Sequence, residues 1–160
     1  MSSGLSAAVV VASNRAAAGV YADTTGPLIV AALAELGFAV GDPVVAPDGE
    51  PVGAAIAAAV AQGAQVVLTT GGTGLTPTDR APEVTRPLLD REVPGIAEAI
   101  RAYGVAQGVP TAALSRGVAG VSGQALVVNL PGSRGGVKDG LAVVVPLLRH
   151  AVEQIVGSDH

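Results

Sequence analysis

Short apolar runs alternate along the chain with segments that have helical spacing. The runs at residues 7–13, 65–70 and 125–130 each end in a polar or glycine-containing turn, which is typical of buried parallel strands. Residues 40–46 are a weaker strand candidate. Pro43 within this segment favours the edge of a sheet, because proline has no N–H to donate to a neighbouring strand. The pattern therefore predicts four strands.

Helical spacing fills most of the chain between these strands, and glycine or proline marks most of the helix ends. Residues 14–25 are small or turn-forming and predict a loop, whereas residues 111–122 fit no single pattern. The last four residues, GSDH, are expected to form a frayed tail. The predicted helices span residues 27–36, 51–62, 82–89, 95–103 and 136–156, with Gly37, Gly63 and Gly104 at helix ends and Pro94 at a helix start.

Strands that alternate with helices predict right-handed crossovers and a mostly parallel sheet with helices on both faces. We therefore expect an α/β protein, a single-domain three-layer α/β/α unit spanning residues 1–160 with a core of about 7–156. Ligands of such sheets bind beyond the carboxyl ends of the strands. Three polar turns follow predicted strands and are expected to converge, at residues 13–15, 71–74 and 131–133.

The most informative segment spans residues 66–83 and reads VVLTTGGTGLTPTDRAPE, so that a strand leads directly into a glycine turn. Gly71, Gly72 and Gly74 allow the backbone to approach a ligand closely, and successive N–H groups in such a turn form an anion-binding site. Asp79 follows at a distance that suits the Mg²⁺ accompanying a nucleotide. The loop lacks the lysine of GxxxxGK[ST] and the spacing of GxGxxG, which disfavours a P-loop or a dinucleotide fingerprint.

Composition narrows the classes of partner. The net charge is −4, and the chain has one Phe, two Tyr and no Trp, so it lacks the basic stripe and the aromatic platforms of nucleic-acid-binding proteins. We expect no nucleic acid as a main partner. Polar residues interrupt every apolar run before the ~20 residues of a membrane span. With no basic segment ahead of the first apolar run, the sequence predicts a cytoplasmic protein without a membrane partner.

Two residue types limit the chemistry. The chain has no cysteine, which excludes disulfides, thiolate metal sites and thiol nucleophiles. The two histidines, His150 and His160, lie on the last predicted helix and at the final position. Their spacing is not that of a pair of metal ligands, and their positions disfavour a Ser-His-Asp hydrolase.

The phrase TTGGTGLTPTDRAPE resembles the signature of the MoaB/Mog family of molybdenum cofactor biosynthesis proteins, the molybdopterin adenylyltransferases. SNRAAAGVYAD, DREVPG, LSRGVAG and NLPGS extend the resemblance, in order, over almost the whole chain. The resemblance implies a compact α/β subunit that assembles as a homotrimer and has a molybdenum-insertion protein as a candidate partner. It also implies an enzyme in which the terminal phosphate of molybdopterin attacks the α-phosphorus of ATP and pyrophosphate leaves.

The resemblance implies Mg²⁺ with ATP as cofactor and molybdopterin as substrate, and it assigns roles to individual residues. Asp48 and Asp79 are the expected catalytic residues and transient Mg²⁺ ligands, although Asp48 also fits a helix N-cap and Asp79 a simple turn. Glu83 belongs to the phrase but is expected to be solvated or capping. The expected nucleotide- and molybdopterin-binding residues are Ser13, Arg15, Gly71, Gly72, Thr73, Gly74, Thr76, Ser115, Pro131, Gly132 and Ser133.

Two alternatives stay open from the sequence. The first is a non-catalytic molybdopterin-binding or scaffold protein of the same fold, because Asn14 stands where the Mog branch often has Asp; the retained Asp48 favours an active enzyme. The second is a pyridine-nucleotide hydrolase of the competence-damage type. That branch prefers a Gly-Gly-Leu-Gly-Pro-Thr loop with paired aspartates, so Thr73 and the single Asp79 count against it.

Overall fold

A computed structural model describes residues 4–157 of the chain. Seven strands in this range form one sheet in the order β2-β1-β4-β7-β6-β5, with β3 also paired to β1. The strands are β1 (Ser6–Ala12), β2 (Ala39–Val40), β3 (Val44–Ala46), β4 (Val66–Thr70), β5 (Arg91–Glu92), β6 (Ala119–Ser122) and β7 (Ala125–Leu130). Strands β1 to β4 and β7 are parallel, whereas β6 runs antiparallel to both β5 and β7.

Helices cover both faces of this sheet. They are α1 (Asn14–Ala17), α2 (Thr25–Glu35), α3 (Glu50–Ala61), α4 (Ala81–Thr85), α5 (Pro94–Ala106), α6 (Arg134–Val144) and α7 (Leu148–Ile155). Three 3₁₀ turns at Arg86–Leu88, Pro110–Leu114 and Val145–Leu147 connect or extend them. The expected three-layer α/β/α architecture with a mostly parallel sheet is therefore confirmed.

The core forms two apolar layers because side chains alternate across each strand. Val9 of β1 packs with α2, α5, α6 and α7 on one face, while its neighbour Val10 packs with α3 on the other. Leu68 and Val67 divide β4 between the same two layers. Burial on both faces explains why the central strands are continuous apolar runs. No helix among residues 4–157 is both long and apolar enough to span a bilayer.

The three strong strand predictions are confirmed, and the others need correction. Residues 40–46 do not form one strand: β2 and β3 flank a gap that contains Pro43, and both lie at the expected edge beside β1. The ambiguous stretch 111–122 contains part of a 3₁₀ turn and strand β6. Strand β5 is only two residues long, and nothing in its composition distinguishes it from a loop.

Helix boundaries were predicted less well than helix positions. Residues 14–17 are helical rather than part of a loop, because the Ser13 hydroxyl accepts a hydrogen bond from the Ala16 N–H (3.1 Å) and caps the turn. Gly104 lies inside α5 instead of ending it. A Cβ at this position would lie 2.6 Å from Ala112, so the glycine makes room for the following 3₁₀ turn.

Two predicted helices are shorter than expected because proline removes a backbone donor. The helix predicted at 82–89 ends as α4 at Thr85, and Pro87 lies in the 3₁₀ turn that follows. The single helix predicted at 136–156 is two helices, α6 and α7, separated by a turn that contains Pro146. Of the predicted tail, residues 158–160 lie outside the described part of the chain.

Candidate functional site

The carboxyl ends of β1, β4 and β7 are neighbours, so the turns that follow them meet at one edge of the sheet. The Thr70 hydroxyl donates to the Pro131 carbonyl (2.6 Å), and the Gly71 N–H donates to the Leu130 carbonyl (3.2 Å). A Cβ on Gly132 would lie 3.1 Å from the Gly71 Cα atom. The expected convergence of the turns is therefore confirmed for this sheet edge.

The glycine loop after β4 presents an unpaired row of main-chain donors. Among the described residues, the N–H groups of Gly72, Thr73, Gly74 and Leu75 donate no hydrogen bond. Thr73 is buried, and its carbonyl accepts a hydrogen bond from the Arg116 N–H (2.8 Å). Successive free N–H groups in a turn attract anions because their dipoles add at one point. The loop can therefore bind a phosphate without using a cationic side chain.

The loop glycines also accommodate the chain's own carboxylates. A Cβ on Gly72 would lie 2.6 Å from Asp48 Oδ2, and a Cβ on Gly74 would lie 2.7 Å from Asp79 Oδ2. Gly72 has φ +70° as well, a conformation that favours glycine. Glycine is therefore needed at positions 72 and 74 to make room for the carboxylates of Asp48 and Asp79. The sequence had suggested a different reason for glycine here, the close approach of a ligand to the backbone.

Asp48 is not the helix cap that its sequence context suggested. Gly49, at φ 100°, is the N-cap residue of α3 and makes no side-chain cap bond. Instead, Asp48 Oδ1 accepts hydrogen bonds from the N–H groups of Gly49 (2.8 Å) and Arg80 (3.1 Å), while the Asp48 N–H donates to Asn14 Oδ1 (2.9 Å). Asp48 thus connects the turns after β1, β3 and β4.

Burial raises the pKa of Asp48 above its ordinary value of 3.8, outweighing the two N–H donors that lower it, and the charge of Asp79 raises it further. The charged form is therefore less favourable in the folded protein than in the unfolded chain. Its Oδ2 atom makes no hydrogen bond within residues 4–157 and lies against the Gly72 backbone. A bound cation would relieve this penalty.

We expect Asp48→Asn to increase the free energy of unfolding at pH 7, because it removes a disfavoured charge while Asn Oδ1 can still accept both backbone bonds. The gain should shrink as the pH falls through the raised pKa and disappear below 3.8, where the carboxyl is protonated in both states. Urea denaturation of both proteins between pH 3 and pH 8 measures the difference. A difference that stays constant with pH would contradict the argument.

Asp79 closes the other end of the loop. Its Oδ2 accepts the Thr76 N–H (3.1 Å) and its own N–H donates to the Thr76 carbonyl (3.0 Å), so the simple-turn role is real. Oδ1 makes no hydrogen bond within the described residues. The carboxylates of Asp48 and Asp79 therefore each offer one oxygen.

The acidic groups fit a transient Mg²⁺ better than a resident metal. No cluster of three or more His, Cys, Asp or Glu side chains that could hold a metal occurs in residues 4–157. Mg²⁺ characteristically binds one or two carboxylates together with water and substrate phosphates. The free oxygens of Asp48 and Asp79, beside a loop able to bind phosphate, fit that coordination.

Two clefts flank the ridge formed by the converging turns. The polar cleft, of about 210 Å³, includes Ser13, Gly71 and Gly132 in its lining. The apolar cleft has a volume of about 270 Å³, and the residues from the sequence prediction that line it are Thr73, Gly74, Ser115, Pro131 and Ser133. The two linings are close together, because Gly71 and Gly132 of the polar cleft are one or two residues in sequence from Thr73, Pro131 and Ser133 of the apolar cleft.

Other predicted residues occupy the margin of the site. Arg15 lies over the Tyr21 ring at 5.2 Å from its centroid and lines neither cleft. Thr76 is exposed, and its hydroxyl pairs with that of Thr78 (3.3 Å). Ser133, expected to bind ligand, caps α6 by accepting a hydrogen bond from the Gly136 N–H (3.0 Å), and it also lines the apolar cleft.

Nothing in the sequence indicates that the Arg116 side chain holds the glycine loop. Glu83, expected to be solvated or capping, pairs with Arg116 at 2.6 Å, and this hydrogen bond lowers the pKa of Glu83. The LSRGVAG motif contains both Ser115 and Arg116, but the sequence prediction includes only Ser115, which lines the apolar cleft. Glu83 and Arg116 are 33 residues apart in sequence, so no local pattern indicates that they form a pair.

The fold and the site define an α/β protein with a candidate anion-binding loop at the carboxyl edge of a mostly parallel sheet. A family model described as a probable molybdopterin binding domain matches residues 8–150. The chain therefore belongs to this family of molybdopterin-binding domains, which includes the MoaB and Mog proteins, and the resemblance seen in the sequence is confirmed.

Several relatives cover nearly the whole chain. A molybdenum cofactor biosynthesis bifunctional protein of Synechococcus elongatus is 42% identical over 98% of this chain, and the chain spans 49% of that protein's length. A molybdopterin adenylyltransferase of Pyrococcus furiosus is 38% identical over 91% of this chain and 90% of its own. The structure of the molybdopterin biosynthesis Mog protein from Mycobacterium ulcerans superposes with a TM-score of 0.92, at 47% identity over 98% of this chain and all of that chain.

Proposed function

We propose that this protein is a molybdopterin adenylyltransferase, which transfers AMP from ATP to the terminal phosphate of molybdopterin. The observation that supports this most directly is the row of unpaired N–H groups at residues 72–75 beside the carboxylates of Asp48 and Asp79. Its place in molybdenum cofactor biosynthesis agrees with its family and with relatives that bear the name molybdopterin adenylyltransferase.

The reaction joins two anions, so alignment and charge neutralisation matter more than a strong base. An oxygen of the molybdopterin phosphate forms a bond to the α-phosphorus of ATP, and the bond from that phosphorus to the bridging oxygen breaks as pyrophosphate leaves. The N–H groups of the glycine loop would bind the non-bridging oxygens of the nucleotide. Mg²⁺, when bound, would supply positive charge between the carboxylates and the phosphates.

The two clefts suit the two substrates of such a transfer. Gly71 and Gly132 line the polar cleft, and residues next to them in sequence line the apolar cleft, so the unpaired N–H groups that start at Gly72 lie between the two linings. A nucleotide and a pterin that entered from the two sides would bring their phosphates together at the ridge formed by the converging turns. In this proposal Ser13, Arg15, Thr76 and the lining residues of both clefts contact substrate, while Asp48 and Asp79 are catalytic.

The resemblance extends the proposal beyond one subunit. We propose a single domain over residues 1–160 that assembles as a homotrimer in the cytoplasm and hands its product to a molybdenum-insertion protein. Sedimentation of the purified protein tests the trimer. These statements rest on the family resemblance in the sequence.

The direct test is an assay of purified protein with ATP, Mg²⁺ and molybdopterin, in which adenylyl-molybdopterin and pyrophosphate are measured together. We expect equal amounts of both products, no reaction without Mg²⁺, and a higher Mg²⁺ requirement for Asp48→Asn, because one of the two carboxylates is lost. Molybdopterin binding without either product would favour the non-catalytic scaffold. In a parallel reaction supplied with a pyridine nucleotide, hydrolysis of that nucleotide without formation of adenylyl-molybdopterin would favour the competence-damage type.

A further inference from the structure

The guanidinium of Arg116 uses all three of its nitrogens to hold the glycine loop. Nε donates to the Gly74 carbonyl (2.8 Å), Nη2 to the Asp79 carbonyl (2.9 Å) and Nη1 to Glu83 Oε2 (2.6 Å). Its main-chain N–H donates to the Thr73 carbonyl (2.8 Å). One residue thus ties both ends of the loop and the start of α4 to a single rigid plane.

Arg116 is itself held firmly. Arg101 of α5 donates through Nη1 to the carbonyls of Ser115 and Gly117, both at 3.2 Å, on either side of Arg116. The buried Asn129 accepts the Val118 N–H at 3.1 Å. The clamp is therefore anchored to the sheet and to a helix rather than to another loop.

The loop depends on this clamp because its own restraints are few. Residues 75–78 are exposed, and the bonds between Thr76 and Asp79 are internal to the turn. Two more hydrogen bonds hold the end of the loop. The Arg80 N–H donates to Asp48, and the Ala81 N–H donates to the Gly72 carbonyl. Without Arg116, Asp79 would be held by its turn with Thr76 and, through the adjacent Arg80 N–H, by Asp48.

We infer that Arg116 is a positioning residue for the adenylyl transfer, which aligns the donor loop and Asp79 through its three coplanar bonds. The inference rests on the proposed function. We assign Arg116 a positioning role because three of its five guanidinium N–H groups, one on each nitrogen, already donate to Gly74, Asp79 and Glu83. Lysine cannot replace it, since a single ammonium group lacks the planar fork that satisfies three divergent acceptors.

The test compares Arg116→Ala and Arg116→Lys with a control variant, Arg86→Ala. Like Arg116, Arg86 pairs with a glutamate, since its Nε lies 3.4 Å from Glu92 Oε2. Amide hydrogen exchange of ligand-free protein is measured first. We expect faster exchange at residues 73–80 in both Arg116 variants and unchanged exchange there in the control. Turnover should fall roughly 10- to 100-fold in both Arg116 variants, with a smaller change in KM for ATP.

A double-mutant cycle with Asp79→Asn separates positioning from general destabilisation. If Arg116 acts through Asp79, the activation free energy should rise less in the double variant than the sum of the two single variants predicts. The reason is that a misplaced Asp79 carboxylate already contributes less to the transition state, so its removal costs less. Full additivity, full activity of Arg116→Lys, or unchanged loop exchange would overturn the inference. Faster loop exchange in a protein whose wild type makes no adenylyl-molybdopterin would support the clamp and overturn only the proposed function.

Discussion

Asp79→Asn is expected to bind molybdopterin with nearly wild-type affinity but to lose adenylation by on the order of 10²-fold or more, the size typical of one lost electrostatic contact in a transition state. The amide Oδ1 can still accept the Thr76 N–H, so the turn survives while the charge disappears. Single-turnover measurements with saturating ATP and Mg²⁺ isolate the chemical step from binding.

Asp90→Asn provides the matched control for this variant. Asp90 likewise accepts a main-chain N–H, from Gly123 at 2.8 Å, but lies near the antiparallel edge of the sheet. The substitution changes the net charge equally and should leave turnover unchanged. Equal turnover in wild type and Asp79→Asn would remove Asp79 from the mechanism.

Gly71→Ala is expected to lower the free energy of unfolding by about 3 kcal/mol, combining a positive-φ penalty with overpacking. Gly71 has φ +91°, and an added Cβ would overlap the main-chain carbonyl oxygen of Ala12. Neither backbone can move far, because β1 and β4 are paired along their length. The melting temperature should fall by roughly 6–12 °C.

Gly63→Ala separates the two contributions. Gly63 also has positive φ, +96°, but nothing lies within 4 Å of an added Cβ. We expect a loss of only about 1 kcal/mol, from conformation alone. If thermal denaturation gave both variants the same melting temperature, the contact between the turns after β1 and β4 would not be tight.

The architecture was predictable because the central strands are buried on both faces and therefore appear as uninterrupted apolar runs. Burial at β1, β4 and β7 leaves a strong signal in sequence, and their alternation with helices predicts a parallel sheet, whereas the order of the strands is known only from the structure. Strand β5 has only Arg91 and Glu92, both exposed, so no hydrophobic pattern marks it. Pro146 marks the break between α6 and α7, but the helical spacing of the apolar residues continues across it and predicts one helix.

The candidate site was predictable where its residues follow one another in sequence. The glycine loop and Asp79 lie in one phrase, and the strand ends located the turns that meet it. The role of Arg116 depends on contacts with residues 33 to 42 positions away, which a single sequence does not encode locally. The packing of Asp48 against Gly72 is likewise a tertiary contact, and it replaced the helix cap suggested by local pattern.

The unpaired N–H groups at residues 72–75 belong to the main chain, and this has a consequence for how the site can change over generations. A replacement of Thr73 or Leu75 alters a side chain but leaves its amide donor in place. Drift at these positions should therefore tune ligand preference gradually, whereas a change at Gly72 or Arg116 would disturb every donor together. The anion-binding donors of this site therefore depend on the conformation of the backbone more than on the identity of any one side chain.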